Sequence, residues 1–180
     1  MSAEDISRTV EAVFVNSARL YDHKLAFTRY SSGRKGGVAD IVPSKGDYVE
    51  GVLLLVPDFK ALDAREGHPH IYKRKKVNVV PKGREAAVVA STYVVVDKQA
   101  HEVLPHPDYV QLIRDGAATY LSADYQVYLE ELLAIDREPY RFPKPKRRKA
   151  DRMDSESYTS LFYDYWLEEQ QKRLRERLGE

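Results

Sequence analysis

The sequence predicts an α+β (mixed) protein, a small barrel-like β-sheet with helices packed outside it. Three observations carry this reading. Strand-forming runs rich in Val, Ile and Tyr are separated by Gly- and Pro-containing turns between Ala12 and Val96. Apolar residues then switch to helical spacing beyond Pro105. Many short strands followed by helices fit one mixed layer structure around a single core.

Taken in order, residues 2–9 read as a helix start, with Ser2 as N-cap and Glu4 and Asp5 in the first turn. Strands are expected over Ala12 to Ala18 and Lys24 to Tyr30, joined by a turn at Tyr21-Asp22-His23. Gly33, Gly36 and Gly37 precede a strand from Val38 to Val42, which the turn residues Pro43 to Asp47 close. The pair Gly36-Gly37 suits close backbone packing better than anion binding. Val49 to Val56 is a nearly continuous apolar run around Gly51, as expected of a strand buried on both faces or lining a closed sheet. Pro57-Asp58 opens a short helix from Phe59 to Arg65, with Phe59 and Leu62 inward.

After Gly67 a strand from Ile71 to Val80 is expected to turn at Pro81-Lys82-Gly83-Arg84 and return through Ala86 to Val96. Pro105 and Pro107 open a helix with Tyr109, Leu112 and Ile113 at helical spacing and Gly116 at its end. A second helix covers Ala123 to Ile135, with Tyr125, Tyr128, Leu129, Leu132 and Leu133 on its apolar face. The predicted organisation is therefore a domain over 1–138, a basic Pro-rich linker over 139–154 and a C-terminal amphipathic helix over 155–180. Tyr158, Phe162, Tyr165 and Trp166 form a stripe on that helix, which is expected to dock on protein, a homodimer partner among the options.

Composition narrows the function. The chain has 180 residues and no cysteine, which removes thiolate nucleophiles, disulfides and Cys-based zinc sites. No apolar stretch approaches the ~20 residues of a membrane span, and Met1 to Val10 carries no signal pattern, so a cytoplasmic location is expected. Residues 141–180 hold 11 of the 29 Lys and Arg and 8 of the 28 Asp and Glu, a net of +3 against −2 for the rest. This is not a nucleic-acid-binding composition as a whole; a solvated linker explains the basic segment Arg141–Arg152, with a nucleic-acid or anionic-membrane contact as the weaker alternative.

Chemistry concentrates at Ala61-Leu62-Asp63-Ala64-Arg65-Glu66-Gly67, between two strand-forming runs. A carboxylate held there, beside a glycine, can be desolvated on one side and act as a proton acceptor. The same three charges can equally be solvated residues of a connecting helix. His68 and His70 stand two residues apart but lack a third ligand of clear spacing, so no metal is assigned to them.

The order of the pieces resembles the gamma-glutamyl cyclotransferase (AIG2-like) family. The matching stretches are Ala18-Arg19-Leu20, Lys24 to Phe27, Gly36 to Pro43, Gly46 to Val52, Leu62 to Gly67 with Tyr72 beyond it, Pro107-Asp108-Tyr109, Gly116-Ala117, and Leu121 with Tyr125. The resemblance implies a compact barrel-like fold and an intramolecular acyl transfer that needs no metal or organic cofactor. The α-amine of a γ-glutamyl amine, amino acid or peptide attacks its own γ-carbonyl, giving 5-oxoproline and a free amine. It implies Glu66 as the general acid/base, with Tyr72 and Tyr109 lining the substrate pocket; either phenol can instead be a core residue bonded nearby. Tyr125 is expected to pack a helix.

One departure stands out. Members of the family begin with a strand ending in Tyr-Gly-Ser-Asn, whose loop supplies backbone N–H groups for substrate oxygens. That motif is absent here, and Met1 to Asp5 resembles the segment on its C-terminal side. The chain is accordingly expected to be N-terminally truncated and to have little activity as it stands. The alternative to an enzyme is a non-catalytic remnant of the fold that acts as a binding or interaction module.

Overall fold

A computed structural model of the chain describes residues 9–134, 136–139 and 141–142. The helix start at residues 2–9 lies almost entirely outside the described residues, as do most of the linker and all of the C-terminal helix with its aromatic stripe. Four antiparallel strands form the sheet: β1 (Val13–Ser31), β2 (Gly36–Leu55), β3 (Tyr72–Pro81) and β4 (Val88–Val95), in the order β2-β1-β3-β4. Three helices accompany it: α1 (Lys60–Glu66), α2 (Pro107–Tyr120) and α3 (Ala123–Leu133).

The mixed sheet-plus-helix architecture is the expected one, with corrections in its details. The two short strands expected before Ser31 are one strand, and Asp22 sits within it at φ 56, where the pairing with β2 shifts register between Tyr21 and His23. A bulge absorbs the turn-forming residue without ending the strand. The expected turn at Pro43 to Asp47 likewise lies inside the 20-residue β2. The run Val49–Val56 is not buried on both faces, because β2 is an outer strand and its apolar side chains are half-buried. Gly116 falls inside α2 and does not end it, and Leu112 is 51% exposed while Val110 and Ala117 face the core.

Two apolar clusters hold the fold. Phe27 from β1 packs with Val110 and Ala117 of α2 and with Tyr125, Leu129 and Leu133 of α3. Ala18, Val77 and Val79 form the second, with Leu20, Leu53, Val88 and Ala90 around them. Tyr125 is 1% exposed, so it does pack its helix as expected.

Asp40 joins the two outer strands of the sheet, which is what makes it barrel-like. From β2, its carboxylate accepts from the Val95 N–H at the end of β4 (3.1 Å), from the Ile41 N–H (2.9 Å) and from the Thr28 hydroxyl (2.7 Å), and it pairs with the Lys98 ammonium. A buried carboxylate is tolerated only when so many donors surround it. The segment after β4 then runs beside β1, where the Gln99 and Val103 N–H groups donate to the carbonyls of Thr28 and Phe27. It reaches Gly36 and Gly37 at close range: the Gly37 N–H bonds the Leu104 carbonyl at 3.0 Å, and a Cβ on Gly37 would lie 1.8 Å from the Val103 oxygen. Close backbone packing is thus the role of this glycine pair.

Glu50 is the second buried carboxylate in β2. It accepts from Arg19 Nε (2.8 Å), the Ser122 N–H (2.8 Å) and the Ser122 hydroxyl (2.8 Å), at the residue that caps α3. Burial raises its pKa, but the bonds from Ser122 and Arg19 outweigh burial and hold the carboxyl below the usual range. A carboxylate lowered in this way contributes stability above its unfolded pKa, and that contribution is lost as pH falls through the depressed folded value. The Tm advantage of the parent over Glu50→Gln is therefore expected to be full near neutrality and to shrink below about pH 4.5. Equal Tm values for the two proteins at pH 7 would show that the cluster contributes nothing.

Candidate active site

Helix α1 positions the carboxylate singled out by the sequence. The Asp58 side chain accepts from the Lys60 N–H at 2.8 Å and opens the helix, and Leu62 anchors it by burial. Gly67 closes it in the left-handed conformation (φ 65, ψ 36), a backbone state that a side chain strains. Ile71 also packs against that glycine, 2.9 Å from where a Cβ would stand. Asp63 ties α1 to the β3–β4 hairpin by accepting from the Tyr93 hydroxyl (2.7 Å) and forming an ion pair with Arg74 Nε (3.1 Å), and the Arg74 guanidinium lies 4.7 Å over the Phe59 ring. Asp63 and Arg74 are thus occupied with each other. Glu66 is the last residue of the helix, with its side chain 15% exposed and Arg65 Nε 3.7 Å from its carboxylate.

The other two sequence-predicted site residues converge on the same region. The Tyr72 hydroxyl, at the start of β3, donates to the Ala39 carbonyl at 3.4 Å. The Tyr109 hydroxyl, in the first turn of α2, accepts from the Ala39 N–H, also at 3.4 Å. Both polar backbone groups of one β2 residue are therefore met by the two phenols. At 3.4 Å these bonds are long and weak. Burial first, then the nearby Tyr109, Glu66 and Asp40, push the Tyr72 phenol well above the usual range, while Arg29 opposes them. The phenol accordingly stays protonated at neutral pH and can donate a hydrogen bond. Glu66 and Tyr72, six residues apart, and Tyr109, 37 residues further on, share one electrostatic neighbourhood.

Among the described residues, two of the surface clefts stand out, and neither is lined by Glu66. One, of about 240 Å³, lies against Arg19, Glu50 and Ser122, with Lys82 and Arg84 on its rim. The other, of about 280 Å³, opens beside Tyr109 between Arg34, Lys35 and His106. Arg34 also stands over the Tyr109 ring at 5.2 Å. Among the described residues no three His, Asp or Glu side chains converge as a metal-ligand set.

The chain matches the AIG2-like family over residues 48–129, the segment that contains Glu66, Tyr72 and Tyr109. Its fold is similar to a solved gamma-glutamyl cyclotransferase, with TM-score 0.66 and 25% identity over 93% of this chain and 92% of that one. Family match and fold both point to the AIG2-like, gamma-glutamyl cyclotransferase-like proteins as what this chain is similar to. An uncharacterised human protein is similar to the same degree, with TM-score 0.66 and 26% identity over 93% of this chain and 92% of that one. The YkqA protein of Bacillus subtilis shares 27% identity and TM-score 0.60 over 72% of this chain and 47% of its own length. No curated protein sequence matches the chain. Family and fold together support a cyclotransferase-type function in general terms.

Sequence reasoning missed Asp40, Glu50 and Arg29. Asp40 and Glu50 each stand alone inside an apolar run, and a lone acid in such a run is the signal that could have marked them. Arg29 left no comparable signal, since Tyr72, on whose hydroxyl it acts, is 43 residues away in sequence. Among the described residues no helix is long and apolar enough to cross a membrane.

Proposed function

We propose that this chain is a γ-glutamyl cyclotransferase with Glu66 as its acid/base group. The observation that carries the reading is the placement of Glu66: a largely buried carboxylate at a helix end, within electrostatic reach of a protonated phenol. The α-ammonium of a γ-glutamyl substrate passes one proton to Glu66 and becomes nucleophilic. The amine nitrogen attacks the γ-carbonyl carbon and closes a five-membered ring. The bond from that carbon to the leaving nitrogen breaks as Glu66 returns the proton to it, and the second proton shed by the ring nitrogen passes through Glu66 to the departing amine, which leaves as an ammonium. The products are 5-oxoproline and a free amine, and the carboxylate is regenerated. Because nucleophile and electrophile belong to one molecule, the protein's main task is to fold the substrate into the attacking geometry. Tyr72 and Tyr109 are placed to exchange their weak bonds at Ala39 for bonds to substrate oxygens. The test is to incubate the full chain with γ-glutamyl-alanine and quantify 5-oxoproline by chromatography. Release above the uncatalysed background supports the reading, and its absence overturns it.

A further inference from the structure

We propose that Arg29 is a substrate-binding residue of this site, one that holds a carboxylate of the ligand. The assignment rests on the cyclotransferase reading and adds a residue to it.

Arg29 is half-buried in β1, next to Thr28, whose hydroxyl is fixed on Asp40. Across the sheet it pairs with Val38, the neighbour of Ala39, where the Tyr72 and Tyr109 hydroxyls meet. The register shift between Phe27 and Arg29 re-aims the strand at this point. Arg29 also acts electrostatically on the Tyr72 hydroxyl, which places its charge in the same neighbourhood as Glu66.

The balance of charge points the same way. The acids around Tyr72 and α1 have cations of their own: Asp40 has Lys98, Asp63 has Arg74, and Glu66 has Arg65. Among the described residues no hydrogen bond or ion pair engages the Arg29 guanidinium. A guanidinium partly withdrawn from water loses hydration without compensation unless an anion joins it. Its planar fork matches a carboxylate in two parallel bonds. Arg34, over the Tyr109 ring, adds positive potential beside that phenol.

A γ-glutamyl amino acid offers two carboxylates, one on the glutamyl α-carbon and one on the leaving amino acid. Three substrates separate them: γ-glutamyl-alanine, γ-glutamyl-ethylamide, and the α-carboxamide of γ-glutamyl-ethylamide. The first carries both carboxylates, the second only the α-carboxylate, and the third none. For Arg29→Gln, kcat/KM is expected to fall ~10–100-fold for the substrates whose carboxylate Arg29 holds, as removal of a charge-assisted bond does, mainly through KM. A fall for γ-glutamyl-alanine alone assigns the leaving group's carboxylate. A fall for the first two with the third spared assigns the α-carboxylate. An equal change for all three, or none, overturns the proposal, the former because it reports structural damage. If the parent protein turns over none of them, the cyclotransferase reading falls, and calorimetric titration with γ-glutamyl-alanine decides on Arg29. Binding by the parent that Arg29→Gln loses and Arg29→Lys partly restores supports the carboxylate site, and binding unchanged by the substitution, or absent in the parent, overturns it.

Discussion

The Glu66→Gln variant is expected to release 5-oxoproline ~10²–10⁴-fold more slowly than its parent, the usual loss when a positioned acid–base group is removed. The substitution keeps the size and shape of the side chain and removes only its capacity to accept a proton. The fold should survive, because what holds α1 in place is Leu62, the Asp63–Arg74–Tyr93 contacts and the Gly67 cap. The loss should appear in kcat, since the proton is moved during the reaction and not on binding. The check is a steady-state comparison of the two proteins with γ-glutamyl-alanine, alongside their far-UV circular dichroism spectra. Turnover within a few-fold of the parent would remove Glu66 from the mechanism and make it a structural charge beside Arg65.

Gly37→Ala is expected to destabilise the protein by ~3 kcal/mol or more, at the upper end of the overpacking range. The new methyl would stand 1.8 Å from the Val103 oxygen and 2.8 Å from the Phe27 Cβ. Neither neighbour can yield cheaply. Val103 is backbone that is itself bonded to the Phe27 carbonyl at 2.9 Å, and Phe27 is fully buried at the centre of the helix-packed core. Relief requires moving the segment that leads into α2, and with it the turn that carries Tyr109. Thermal unfolding should show a Tm lowered by ~10 °C for a protein of this size. A change of under ~2 °C would mean that the crossing segment yields, and that the glycine pair is not required for the close approach.

The legible parts of the fold were those written in local chemistry. The apolar stretches around Ala18, Phe27, Val42 and Val77 read as strands and are strands, and the turn at Pro81 closes with an Arg84 N–H bond to the Pro81 carbonyl at 3.0 Å. Misreadings arose where tertiary context overrode a local signal. Asp22 and Pro43-Ser44-Lys45-Gly46 have turn composition, yet the pairing of two long strands carries them through as irregularities. Gly116 costs α2 about 1 kcal/mol of helix propensity. Packing of the Val110 and Ala117 face on Phe27 and Tyr125 exceeds that cost, so the helix continues to Tyr120.

The candidate site divides in the same way. Glu66, Tyr72 and Tyr109 were visible in the order and spacing of short stretches, and so was the short helix that ends in Gly67. What the sequence determined by itself is therefore the alternation of strands, turns and helices and the absence of thiol chemistry, while the three residues around which the chemistry is proposed came through the resemblance to the family. Only the tertiary structure decided which charges are already neutralised: Asp40 by Lys98 across the sheet closure, Glu50 by Arg19 and Ser122, Asp63 by Arg74. It also left Arg29 half-buried within electrostatic reach of Tyr72. The reason is physical. Strand and helix periods are set by neighbouring residues along the chain, whereas the strength of a charge depends on separation and solvent exposure, which exist only once distant segments have met.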